Sequence, residues 1–140
     1  MTNFYDLISD VLQERNKSIK DLENDGVLTK NTFYNFKDTA PSLSNIIAIA
    51  NYLSVSIDYI IGNTSENKFK RYSPTQPNLY SKISALLNSS GISQSKLCKA
   101  VGISRTNFSR WNHGATPKLS TLIEICKYLS CNLDDILEKK

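Results

Sequence analysis

Residues 93–117 read SQSKLCKAVGISRTNFSRWNHGATP, a run with the pattern of two short helices joined by a turn. The helices are predicted to begin near Gln94 and Arg105. Phe108 and Trp111 stand three residues apart, so in a helix both side chains face the same way and reach the core. The second helix of the run is therefore predicted to bury one side and leave a polar side free.

The free side of that second helix carries Arg105, Thr106, Asn107 and Arg110 on its first two turns. Arginine can bond bidentately to guanine, asparagine to adenine, and threonine can touch a thymine methyl group. A helix held by a core on one side and polar on the other fits the major groove of a duplex. The pattern therefore predicts a helix that reads double-stranded DNA.

The chain repeats itself at an offset of 75 residues, as Phe33 matching Phe108 shows, and at 76 after Pro41, which matches Pro117. The matching positions are mostly apolar and fall at helical spacing. Self-similarity of this kind indicates two copies of one unit of about 60 residues.

Each predicted unit contains five short helices, and no segment shows the alternation typical of a strand. The predicted caps of the first unit are Asn3, Ser18 (in a capping box with Asp21), Thr29 and Ser56, and its fourth helix is predicted to start at Pro41-Ser42. The helices of the second unit are predicted to start near Leu79, Gln94, Arg105, Leu119 and Leu133. The predicted fold is all-α: two tandem five-helix units, residues 1–63 and 78–140, joined by a linker at residues 64–77.

Charge is unevenly distributed along the 140 residues, whose net charge is +4. Residues 1–63 sum to −3, residues 64–77 to +2 and residues 78–140 to +5. The second unit is therefore the better candidate for binding an anion. The linker, TSENKFKRYSPTQP, has two prolines and no apolar period, so it is predicted to be flexible.

Both units resemble the lambda-repressor/Cro-like (XRE) helix-turn-helix family, the second unit more closely than the first. Gly102 lies where that family has its turn glycine, Ile103 packs beneath the turn, Ser104 caps the recognition helix and Gly114 follows that helix. The tail LSTLIEICKYLSCNLDDIL resembles the family's fourth and fifth helices, as does PSLSNIIAIANYLSVSIDYIIG in the first unit. The resemblance implies a DNA-binding transcriptional regulator, a repressor of phage or mobile-element type that occupies an operator.

The predicted DNA-binding residues of the second unit surround this recognition helix. At the amino end of the preceding helix, Ser93 and Gln94 are placed to meet a phosphate. The resemblance places Asn112, His113 and Lys118 against the DNA backbone. The full prediction is Ser93, Gln94, Ser104, Arg105, Thr106, Asn107, Arg110, Asn112, His113 and Lys118. The alternative is that the arginines are solvated surface charges and Gln94 only begins a helix.

The first unit departs from the family pattern. Ile19 replaces the glutamine, Gly26 stands one place early, and Asp38 follows the recognition helix, where an acidic group disfavours phosphate. The outward positions nevertheless carry base-reading types, and the predicted residues are Lys30, Asn31, Thr32 and Asn35. Three hypotheses stay open for this unit: weak DNA binding, binding of a different half-site, or a protein-contact or dimerisation module.

Two arrangements on DNA are consistent with the sequence. Fourteen flexible linker residues average roughly 20 Å end to end, whereas units in successive major grooves sit about 34 Å apart. One chain would span two half-sites only with an extended linker, and a homodimer that pairs two second units is equally consistent. The alternative function is an adaptor or inhibitor in which the first unit binds a protein and the second anchors to DNA.

The sequence carries no pattern of an enzyme, so no catalytic residue, cofactor or metal is expected. The single histidine has no partner, and the cysteines lack metal spacing. Cys126 and Cys131 match Ala50 and Val55, which predicts buried, inert thiols. With no membrane-length apolar run and no secretory signal, a cytoplasmic protein without membrane contact is expected.

Overall fold

A computed structural model describes residues 3–140, so Met1 and Thr2 of the predicted first unit lie outside the described residues. Five helices precede the linker segment. Their bounds are α1 Phe4–Glu14, α2 Ile19–Asn24, α3 Lys30–Asn35, α4 Leu43–Leu53 and α5 Ile57–Ile60. Four of them begin directly after the cap predicted from the sequence, and Ser18 and Asp21 form the expected capping box. Helix α4 begins after Ser42, which caps it, so its first residue is Leu43 rather than Pro41 or Ser42.

Five further helices and a short 3-10 turn, Trp111–His113, follow the linker segment. Their bounds are α6 Leu79–Ser90, α7 Gln94–Val101, α8 Arg105–Arg110, α9 Leu119–Leu129 and α10 Leu133–Ile136. All five helix starts are confirmed to the residue. Across residues 3–140 the only β pairing is one isolated bridge between Tyr72 and Lys139, so the all-helical prediction holds. None of the helices described is both long and apolar enough to cross a membrane.

The apolar faces of the helices form one continuous buried cluster that runs through both halves of the chain. The fully buried large side chains include Ile8, Leu22, Phe33, Ile46, Ile83, Leu97, Phe108 and Leu119. Burying such side chains is the main stabilising contribution available to bundles of this size.

The segment between the halves differs from the flexible spacer expected from its composition. Tyr72 is fully buried, and its backbone N–H and C=O both bond the side-chain amide of Asn51 in α4, at 2.9 and 3.1 Å. On the other side, the N–H of Ser73 donates to the carbonyl of Glu138 at 3.0 Å. Burial of the aromatic ring of Tyr72 stabilises the fold, and the backbone groups that are buried with the ring must then form hydrogen bonds. The middle of the linker is therefore packed structure.

Candidate nucleic-acid interface

Helix α8 is held against the core by two aromatic side chains, as its spacing predicted. Phe108 is 1% exposed and Trp111 is 9% exposed, with ring centroids 5.2 Å apart. Phe108 also packs on Tyr80 of α6, with ring centroids 5.0 Å apart. Burying two side chains three residues apart on one face in this way sets the rotation of α8 about its axis.

The opposite side of α8 faces solvent. Arg105, Thr106, Asn107 and Arg110 are all exposed, and neither guanidinium forms an ion pair within residues 3–140. Ser104 is also exposed, and its hydroxyl accepts from the N–H of Asn107 at 3.0 Å, which caps the helix. The bundle therefore presents two cations and two base-reading side chains on the exposed side of α8.

The turn before α8 depends on Gly102, which has a φ of +75° at the end of α7. Left-handed backbone of this kind strains most residues with a side chain but not glycine. Ile103 follows and packs against the core cluster, as predicted. The turn thus places the amino end of α8 beside α7, where the polar side chains of both helices meet.

A shallow groove joins α8 to the start of α7, and its lining residues are Tyr80, Gln94, Arg105, Thr106, Ser109, Arg110 and His113. In it, the side-chain N–H of Gln94 donates to the hydroxyl of Tyr80 at 3.1 Å. Sequence reasoning did not select Tyr80 as a site residue, although its repeat match with Tyr5 was a signal. Gln94 is therefore oriented by a neighbour, with its carbonyl oxygen and second N–H still available.

The remaining predicted residues of the second half surround the same helix. Ser93 is exposed and accepts from the N–H of Lys96 at 3.1 Å, so its hydroxyl caps α7. Asn112 and His113 are exposed in the 3-10 turn, and Lys118 is exposed directly before α9. Lys118 lines a concave surface together with Asn107 and Arg110. The structure thus gathers the predicted residues of this half around α8.

The equivalent surface of the first half has a different character. Lys30, Asn31 and Asn35 are exposed on α3, whereas Thr32 is half-buried beside the capping Thr29. The N–H of Lys30 donates to a carboxylate oxygen of Glu23 at 2.9 Å. A carboxylate thus occupies the positive end of α3, which sequence reasoning missed because Glu23 lies seven residues away.

Aromatic rings also lie on this surface of the first half. Tyr34 is 39% exposed and stacks on Tyr5, with ring centroids 5.9 Å apart. The ammonium of Lys37 lies over the Tyr5 ring, 4.6 Å from its centroid. The surface of α3 therefore combines cations, amides and an exposed ring with two carboxylates, Glu23 at its amino end and the exposed Asp38 after its last residue.

The cysteine prediction is right for one thiol and wrong for the other. Cys126 is buried, and burial raises the pKa of its thiol. Cys131 is only half-buried, whereas its repeat partner Val55 is fully buried. Around Val55 the side chain of Asn67 bonds the backbone of Ser54 and Ser56. Such contacts with the segment after α5 cannot be seen by apolar matching between repeats.

An all-helical bundle with a short, exposed, basic helix anchored by two aromatic rings has the architecture of helix-turn-helix DNA-binding proteins. Residues 82–140 match the family model described as the Cro/C1-type HTH DNA-binding domain. The chain therefore contains one Cro/C1-type domain, which indicates a DNA-binding transcription regulator. The match begins inside α6 and leaves residues 1–81 outside it. No curated protein and no solved structure matches the chain.

Proposed function

We propose that this protein is a sequence-specific repressor of phage or mobile-element type, which acts by occupying an operator in double-stranded DNA. The observation that carries the proposal is the exposed polar side of α8 opposite two buried aromatic anchors. Preorganised arginine and asparagine side chains on such a helix match the donor and acceptor code of the major groove. The chain acts by binding alone, without catalysis.

The proposed DNA-binding role of each residue follows from its position on or around α8. Arg105, Thr106, Asn107 and Arg110 read base edges, because they project from the part of α8 farthest from the core. The residues that contact phosphates are Ser93, Gln94, Ser104, Asn112, His113 and Lys118. Phosphate contacts supply affinity and register, and base contacts supply sequence preference.

We propose that the first half is a divergent second copy of the same domain. Its helices have lengths of 11, 6, 6, 11 and 4 residues, against 12, 8, 6, 11 and 4 in the second half. The capping box of α2 and the caps of α3 and α4 support a unit with its own set of helix starts. In this copy Lys30, Asn31, Thr32 and Asn35 take the base-reading positions.

The test is selection of bound fragments from random duplex DNA by the full chain, followed by titration across salt. A DNA reader is expected to enrich one sequence and to lose affinity steeply as salt rises. Arg105→Ala is expected to weaken binding of the selected site by about 1–3 kcal/mol while changing random-duplex binding much less. Lys127→Ala is the matched control, since Lys127 is an exposed cation at the far end of α9, paired with Glu124 at 3.7 Å. Equal losses on both duplexes would reduce Arg105 to a phosphate contact.

A second candidate function, an adaptor whose first half binds a protein, is favoured by the carboxylate of Glu23 at the end of α3. Negative charge at that place disfavours a phosphate, and the exposed Tyr34 ring is typical of protein interfaces. Under this function, Lys30→Ala and Tyr34→Ala leave affinity for the selected duplex unchanged. Losses of DNA affinity in either variant would exclude it.

A further inference from the structure

We propose that a single chain binds one continuous operator with both of its helix-turn-helix surfaces, as a built-in pseudo-dimer whose two half-sites differ in sequence. This inference rests on the proposed function and adds to it the stoichiometry and the form of the DNA partner. It is carried by two separate contacts between the halves, each of which pairs equivalent residues.

The first contact joins α5 to α10 through a buried carboxylate. Asp58 is 1% exposed, and its oxygens accept from the N–H groups of Leu133 and Asp134 at 3.0 and 2.9 Å. In the repeat, Asp58 is equivalent to Asp134, and Ile57 to Leu133. The carboxylate of the first half therefore caps the fifth helix of the second half.

The reverse contact joins the equivalent residues Asp134 and Ile57, but here the hydroxyl of Tyr72 lies between them. The Tyr72 hydroxyl accepts from the N–H of Ile57 at 2.8 Å and donates to the carboxylate of Asp134. Asp134 thus reaches the start of α5 through Tyr72. An arrangement in which residue i meets j and the equivalent of j meets the equivalent of i is the signature of two-fold symmetry.

The second contact is a cleft of about 620 Å³ between two equivalent loops. One wall is formed by residues 39–44, which follow α3, and the other by residues 116–120, which follow α8. These loops correspond to each other at the repeat offset. An approximate two-fold axis that passes through both the α5–α10 junction and this cleft exchanges the two halves and thereby pairs α3 with α8.

The two-fold relationship between the halves and the charge around the cleft both suit binding to a DNA duplex. DNA has a two-fold symmetric backbone, and paired helix-turn-helix units use that symmetry to place two recognition helices one turn apart. The cleft lies between the segments that follow α3 and α8, and the described residues that line it include Lys118 and no carboxylate. A second chain is not needed to complete this arrangement, because the fifth-helix surfaces of both halves are already covered by each other.

The two half-sites are unequal because the two surfaces are unequal. In α8 the cations are Arg105 and Arg110, whereas Lys30 and Asn35 take the corresponding places in α3. Glu23 adds a negative charge at the amino end of α3 alone. The half-site under α8 therefore contributes more of the affinity and more of the base preference.

The spacing between the half-sites is set by a rigid junction. Tyr72 is clamped by Asn51 on one side and by the C-terminal residues 138–140 on the other, where the side-chain oxygen of Gln76 accepts from the N–H of Glu138 at 2.6 Å. Tyr72 is a positioning residue: it holds the angle between the two recognition helices without touching DNA.

The first experiment measures mass and footprint of the full chain on its selected duplex. The expected result is one chain per duplex by sedimentation and two protected stretches about one helical turn apart, which is about 10 bp. Two chains per duplex, or protection of one half-site only, would overturn the inference and leave the proposed function standing. Failure to enrich any sequence would instead overturn the proposed function.

The second experiment changes the spacing between the half-sites and uses the wild-type chain. Inserting about 5 bp moves one half-site to the opposite face of the helix, and affinity is expected to fall at least tenfold, roughly to that of the α8 half-site alone. Tyr72→Phe removes the bridging hydroxyl, and its affinity is expected to depend less sharply on the spacing between the half-sites than that of wild type. Tyr128→Phe is the matched control and keeps the wild-type profile. Affinity independent of spacing would overturn the inference.

Discussion

The hydroxyl of Tyr80 in α6 accepts a hydrogen bond from the side-chain amide of Gln94, the first residue of α7, at 3.1 Å. The same Tyr80 ring packs on Phe108, the anchor of α8. One side chain therefore supports both a predicted phosphate contact and the base-reading helix. Supporting contacts of this kind lower the cost of ordering a binding residue when its ligand arrives.

Tyr80→Phe is expected to weaken binding of the selected duplex by about two- to tenfold, the range of one net hydrogen bond. The ring stays against Phe108, so the melting temperature is expected to stay within a few degrees of wild type. Fluorescence anisotropy with labelled duplex measures the change, and Tyr128→Phe on α9 is the control. Unchanged affinity in Tyr80→Phe would show that Gln94 needs no orientation.

Gly102→Ala is expected to lower the free energy of unfolding by about 1–2 kcal/mol, because alanine must adopt left-handed backbone there. The position has a φ of +75°, and a Cβ added to it would meet no atom within 4 Å, so backbone strain is the whole cost. Gly102→Asn is expected to cost less, since asparagine tolerates this conformation better. Urea titration followed by circular dichroism measures both variants, and equal losses would contradict the strain argument.

Alkaline pH is expected to destabilise the fold in part through Tyr72. Burial, followed by the hydrogen bond to Asp134, raises the pKa of the Tyr72 hydroxyl above its ordinary value of 10.0. The folded state then keeps a proton that the unfolded state releases, so the stabilisation is complete below about pH 10 and is lost as pH rises further. The unfolding free energy of Tyr72→Phe is expected to fall less steeply above pH 10 than that of wild type. Parallel curves for the two proteins would contradict the burial of an un-ionised hydroxyl.

The three thiols are expected to react with Ellman's reagent in order of exposure. Cys131 is half-buried and reacts first, while Cys98 and Cys126 are buried and burial raises the pKa of each thiol. Only the thiolate attacks the reagent, and burial raises the pKa of the Cys131 thiol as well, so the order is set by access of the reagent to each sulfur. Single Cys→Ser variants assign the phases, and all three thiols should react together in urea. A fast phase that survives Cys131→Ser would contradict this order.

Signals from neighbouring residues in the sequence were sufficient to predict where the helices begin. Ser18 with Asp21, Thr29 and Ser104 each cap the helix that follows them, because capping depends only on residues within one turn. The inward pair Phe108 and Trp111 likewise predicted which side of α8 stays free. Period and capping act over a few residues and can therefore be read along the chain.

The junction between the halves escaped sequence reasoning because it depends on residues far apart in the chain. Tyr72 stands in a polar, proline-containing segment, and its partners Ile57 and Asp134 lie 15 and 62 residues away. The match of Asp58 with Asp134 in an otherwise apolar repeat was the one available signal. The hydrogen bond between Glu23 and the amino end of α3 also joins residues that are separated in the chain, here within the first half.

Periodicity and capping residues were thus enough to establish an all-helical chain and its exposed basic helix, since both depend on residues that are neighbours along the backbone. Folding in three dimensions decided that the connecting segment is packed, that Tyr80 orients Gln94, and that two equivalent carboxylates meet the opposite half. Those features arise because burial brings distant polar groups into a space with little water, where each must find a partner.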